Sequence, residues 1–139
     1  MASRHLNSGA LKVSDVADAD SLKNEGMVSI EHRIIRETRY YQAVAPLLEK
    51  IGRLRTASTC GIELALVAAG QLDAALKAKQ PLYDFAAGIL LVTEAGGTVT
   101  NFDGSPLKIQ LNTKKATNIL ASNGRIDAEI LRICPSLPL

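Results

Sequence analysis

The strongest constraint on this chain is its punctuation. Between residues 38 and 134, apolar stretches of helical length alternate with much shorter ones. Glycine or proline stands at most junctions: Gly52, Gly70, Pro81, Gly96-Gly97, Asp103-Gly104 and Pro135. Residues 38–51 carry apolar side chains at Tyr41, Val44, Ala45, Leu48 and Ile51, a helical spacing interrupted by Pro46. Residues 59–69 repeat it with Ile62, Ala65, Leu66 and Ala69 before Gly70. Pro81 opens a third helix, apolar on nearly all sides, that runs to Ala95. Residues 72–76, 98–100 and 119–121 are short enough for strands, and 126–133 form a last helix. This order predicts a layered α/β fold, an α/β/α sandwich with a mostly parallel sheet.

The first residues read differently. Residues 6–9 suggest a turn, 11–14 a short strand, 15–26 a polar loop and 27–32 an alternating strand. The change in character near residue 33 divides the chain into 1–32, which reads as part of something else, and 33–139, an α/β domain. Hydrophobic residues make up 47% of the chain, enough for a core. Sixteen basic and 14 acidic residues leave a formal charge of +2, too balanced for nucleic acid or an anionic membrane as the main partner. No apolar run approaches the roughly 20 residues of a bilayer span. The start, MASRHLNSG, has no signal-peptide core, and Cys60 and Cys134 make no disulfide framework, so a cytoplasmic setting is expected.

Few side chains stand out by chemistry alone. Asp84 follows Pro81 by three residues, in the first helical turn, where the helix field favours an ionised carboxylate. Such an acid can ligate a hard cation or merely help start the helix. Thr59 stands where an N-cap belongs. Lys77, Lys79, Arg53 and Arg55 read as solvated charges, and Asp73 and Asp103 as strand-end or turn residues. Cys60 lacks a neighbouring histidine and reads as a small core residue. His5 and His32 have no metal-spaced partner.

The specific signal is local. Leu82-Tyr83-Asp84-Phe85-Ala86-Ala87-Gly88, then Glu94-Ala95-Gly96-Gly97, then Asp103-Gly104, resembles the carboxy-terminal signature of the inositol monophosphatase family. The stretch from Leu64 to Asp73 and the run Ile119-Leu120-Ala121-Ser122-Asn123 resemble two further family blocks, in order. Leu6-Asn7-Ser8-Gly9 through Ser14 resembles the hairpin that closes the family's amino-terminal domain.

The resemblance implies a Mg²⁺-dependent phosphomonoesterase. Asp84 would ligate the metal near the attacked phosphate. The backbone of Ser58, Thr59 and Cys60 would contact substrate, with Ser58 standing where the family usually has glycine. Some inositol phosphatases carry, at the position of Lys77, a glutamate that bonds a sugar hydroxyl. A lysine at 77 or 79 points instead to a second phosphate. The substrate is a small phosphate ester: inositol monophosphate by family default, a 3′(2′),5′-nucleotide bisphosphate next, with histidinol phosphate or a sugar bisphosphate also open.

The family's remaining metal ligands lie in Glu-Glu and Asp-Pro-x-Asp-Gly-Thr segments, and neither occurs here. One carboxylate cannot hold two or three cations, so the lone chain is expected to be inactive. Three readings follow: a truncated phosphatase, one subunit of a split enzyme whose partner polypeptide carries the other ligands, or a non-catalytic interaction module. An uncovered inter-domain face predicts a homo-oligomer.

Overall fold

The computed structural model describes residues 11–109, 111 and 114–138. The elements run α1 (Ala19–Asn24), β1 (Met27–Ile30), α2 (His32–Arg36), α3 (Thr38–Leu48), β2 (Arg53–Arg55), α4 (Cys60–Ala68), β3 (Ala74–Gln80), α5 (Leu82–Glu94), β4 (Thr98–Thr100), β5 (Thr117–Ser122) and α6 (Asp127–Ile133). The strands form one sheet in the order β2-β1-β3-β5-β4. β1 pairs parallel with β2 and with β3, whereas β5 runs antiparallel to both β3 and β4. The sheet is therefore mixed: four strands share one direction, as a mostly parallel sheet requires, and one opposes them. That one is β5, which arrives by the long connection after β4 and inserts between β3 and β4 against the common direction of the others.

Strand alternation sends neighbouring residues to opposite faces. Val28, Ile30, Leu76, Ala78 and Leu120 pack with Ile34 of α2, Val44 and Leu47 of α3 and Ile130 of α6. On the other face Ala75, Ile119 and Ala121 meet Leu64 and Val67 of α4 and Phe85 and Val92 of α5. The α/β/α layering is thus present, and each fully buried Leu, Val, Ile or Phe contributes roughly 1.5–3 kcal/mol.

Three local expectations change. Residues 15–26 are not all loop: Asp18 accepts a hydrogen bond from the Ser21 N–H (2.8 Å) and Ser21 Oγ takes the Asp18 N–H (3.1 Å), a capping box that starts α1. Only Leu22 of that helix is buried, so no periodicity advertised it. Residues 11–14 pair with no strand, and the turn expected at 6–9 lies outside the described residues. A boundary at residue 32 would separate β1 from both its partners, and Val16, Leu22, Val28 and Ile30 share one core with Ile130. Asp73 stands at a strand end as expected, directly before β3, and is buried there, accepting hydrogen bonds from Ser14 Oγ and the Met27 N–H.

Candidate functional site

Open α/β sheets hold ligands beyond the carboxyl ends of their strands. β1, β2 and β3 run the same way, so their carboxyl ends share one edge. Glu31 and His32 follow β1, residues 56–59 follow β2, and Pro81 with the first turn of α5 follows β3. This edge gathers Asp84 with Ser58, Thr59 and Cys60. The starts of α4 and α5 lie side by side: a Cβ on Gly61 would stand 3.6 Å from the Asp84 carbonyl oxygen. A Cβ on Gly88 would come within 2.5 Å of Leu64 Cδ1, so a glycine is what lets the two helices touch.

Ser58 adopts φ 56°, the left-handed region. For a residue with a side chain that conformation costs about 1–2 kcal/mol, which accounts for a glycine being the easier choice there. Thr59 does occupy the N-cap of α4, but its hydroxyl does not cap. Thr59 Oγ1 donates instead to the Ala57 carbonyl (3.2 Å). The first N–H groups of α4 are thus left without a side-chain acceptor, at the positive end of the helix dipole. That is an arrangement suited to a phosphate.

Asp84 is the third residue of α5 and is exposed. Its carboxylate makes no hydrogen bond or ion pair with any described residue, while its N–H reaches the Pro81 carbonyl at 3.0 Å. Cys60 is buried, and desolvation pushes its thiol up to about 12. Lys77 opposes that shift, and the charges of Glu63, Asp84 and Glu31 add to it. The thiol stays protonated and is no nucleophile, as expected of a small core residue.

Lys77 departs from its reading as a solvated cation. It is 0% exposed, and its ammonium pairs with Glu63 and, at 2.9 Å, with Glu31. Residues 75 and 77 of β3 point toward the α4 side, and Glu63 enters the same space from α4. Burial alone would lower the Lys77 pKa. Hydrogen bonds and charge from Glu31 and Glu63 outweigh it, so the ammonium titrates above its ordinary value. Lys77 is thus neither solvated nor open to a ligand. Lys79, at φ 53° in a bulge between Lys77 and Gln80, pairs with Glu37 (3.0 Å) and lies 5.7 Å over the Tyr40 ring.

Two acids escaped sequence reasoning. Glu63, 1% exposed, accepts the Ala57 N–H (2.8 Å), Ser29 Oγ and Lys77. Glu31 accepts from Gln80 Nε2 (3.2 Å) and lies 3.0 Å from His32 Nδ1, which in turn is 3.4 Å from Ser58 Oγ. The available signal was that Glu63 shares a helical face with Cys60 and Val67. Beside this network His32, Arg33, Arg36 and Glu37 line an open cleft. Arg33 and Arg36 have no acidic partner among the described residues.

Among the described residues no three His, Cys, Asp or Glu side chains converge to hold a metal. Glu31 and Glu63 are committed to Lys77, so the chain fits a hard cation through the single carboxylate of Asp84. Mg²⁺ characteristically takes one or two protein carboxylates and fills the rest with water and phosphate, so one ligand is a partial fit. No helix among the described residues is long and apolar enough to cross a membrane.

The sequence model of the inositol monophosphatase family matches residues 3–138. Inositol-1-monophosphatase of Bacillus subtilis is 31% identical over 113 residues, covering 80% of this chain and 41% of that protein. Fructose-1,6-bisphosphatase/inositol-1-monophosphatase of Thermococcus kodakarensis is 38% identical over 95 residues, covering 66% of this chain and 37% of that protein. The solved inositol monophosphatase of Anabaena superposes with a TM-score of 0.73 at 29% identity, covering 92% of this chain and 48% of that one. The chain spans less than half the length of these relatives.

Proposed function

Starting from a chain that belongs to the inositol monophosphatase family, we propose that it supplies the carboxy-terminal half of a Mg²⁺-dependent phosphomonoesterase site. The carrying observation is the unpaired Asp84 carboxylate beside an uncapped helix start. Asp84 contributes one metal ligand. The N–H groups from Ser58 through the first turn of α4 bind phosphoryl oxygens and hold the ester beside Asp84. Mg²⁺, when bound, supplies positive charge to the phosphate and acidifies a water. The remaining ligands come from a polypeptide carrying the family's amino-terminal half, and without it the chain hydrolyses little. The α/β unit begins at or before Val16, since that side chain already belongs to the core.

An outward apolar face supports this division. Ile62 of α4 is 56% exposed, and Tyr83 and Leu90 of α5 are exposed as well. We assign this face to the family's amino-terminal half, and to a second copy of the chain when that half is not supplied. Two unpaired thiols fit a reducing cytoplasm.

The test supplies the amino-terminal domain of a relative in trans and measures phosphate release from inositol monophosphate. Asp84→Asn is expected to lower the rate at least ~100-fold, the upper range for disturbing a metal site. Equal rates would remove Asp84 from the mechanism, and no activity in any combination would favour a non-catalytic module.

The cleft beside Ser58 supports a second reading of the substrate. With Lys77 buried, the cations facing that cleft are Arg33 and Arg36. They favour an ester with a second anionic group, such as a sugar or nucleotide bisphosphate, over a neutral polyol. A substrate panel with Arg33→Gln and Arg36→Gln distinguishes the two.

A further inference from the structure

Lys77, Glu63 and Glu31 form a buried charged group with no role in the reading above. All three side chains are at least nine-tenths enclosed, and among the described residues no buried polar side-chain atom lacks a partner. A buried ion pair is weak evidence of stability, since apolar residues of the same volume often serve as well. What distinguishes this group is where its far ends go. Glu63 Oε1 accepts the Ala57 N–H at 2.8 Å, one residue before left-handed Ser58. Glu31 Oε1 lies 3.0 Å from His32 Nδ1, which is 3.4 Å from Ser58 Oγ. Lys77 bridges the two carboxylates from beneath. One arm thus grips the strained turn through the Ala57 N–H, and the buried ammonium ties it to a second carboxylate whose neighbour His32 lies beside Ser58.

We infer that Glu63, held by Lys77, is a positioning residue that keeps the 57–60 turn in its left-handed form, and so keeps the phosphate-facing N–H groups aimed. This rests on the phosphatase reading for its purpose, though not for its geometry. It gives position 77 a role: the lysine touches no substrate and instead fixes the turn from below. Serine at 58 is then tolerated because the clamp holds a conformation that glycine would adopt unaided.

The test reads the turn itself in the full chain, without metal or substrate, so its failure would leave the Asp84 reading untouched. The double variant Glu63→Leu/Lys77→Met removes both ion pairs of the ammonium and the acceptor for the Ala57 N–H while keeping an apolar filling, and leaves Glu31 its contacts with Gln80 and His32. The Thr59 and Cys60 amide resonances are expected to move toward random-coil positions. Adding Ser58→Gly should return them most of the way, because glycine needs no clamp. Glu63→Gln, which retains an oxygen facing Ala57, should leave them near their original positions. Resonances that stay put in the double variant, or that move and are not restored by Ser58→Gly, would overturn the inference. Should the double variant not fold, the unmodified chain still decides. The Ala57 amide must exchange slowly, as a core amide does, and fast exchange there would rule the clamp out.

Discussion

The two helical layers that cover this sheet follow opposite rules. On the α3–α6 side the pattern is the usual one: Tyr40, Ala43, Val44 and Leu47 are buried, and charge stays outside, as in the exposed Arg132–Glu129 pair. On the α4–α5 side a carboxylate is buried, Glu63 at 1%, while Ile62 beside it is 56% exposed and Leu90 62%. A helix that hides an acid and shows an isoleucine departs from the usual rule on both faces. The first layer makes a core. The second carries the candidate site and, on the proposed reading, the face that the amino-terminal half would cover.

The largest test of that contrast is charge removal. Glu63→Ala leaves the buried Lys77 with Glu31 alone and takes the acceptor from Ser29 Oγ and the Ala57 N–H, and is expected to cost about 3–5 kcal/mol, whereas Glu129→Ala on the outer layer should cost about 0–1 kcal/mol. Chemical denaturation of both variants measures the difference. Apolar truncation should reverse the layers. Leu47→Ala, fully buried, is expected to cost about 2–5 kcal/mol. Leu90→Ser should change stability by about 0.5 kcal/mol or less and reduce self-association seen by light scattering. A smaller effect is alkaline. Burial pushes the thiols of Cys60 and Cys134 up to about 12 and about 11, from an ordinary 9.0, and Lys77 also titrates above its ordinary 10.5. All three folded values lie above the unfolded ones, so the stability they carry is intact below about pH 9 and is lost as pH climbs toward 12. Unfolding at about pH 8 and about pH 11 should show that loss, and Cys60→Ala/Cys134→Ala should shrink it.

The contrast also explains what could be read in advance. Helices opened by Pro81 and closed by Gly70 or Gly96 were legible, because capping is local. The place of Asp84 in the first turn of α5 and of residues 58–60 at the start of α4 was legible from Pro81 and from the signature around them, while their roles stay with the proposal. The phase of α4 was not: Ile62, Ala65, Leu66 and Ala69 repeat as well as Cys60, Leu64, Val67 and Ala68, and burying an acid wins only because Lys77, Ser29 and Ala57 satisfy it. Lys77 read as solvated for the same reason, since its partners lie 14 and 46 residues away in sequence. The direction of β5 was hidden too, being set by tertiary pairing with Ala74–Gln80 and Thr98–Thr100 rather than by its own residues.

A Mg²⁺ titration of the complex with a relative's amino-terminal domain tests the central claim most directly, followed by the amide resonances of residues 82–86 and by heat of binding. The account predicts saturable shifts at those amides and a clear loss of affinity in Asp84→Asn, with the fold intact. Identical titration curves for the parent complex and the Asp84→Asn complex would contradict it.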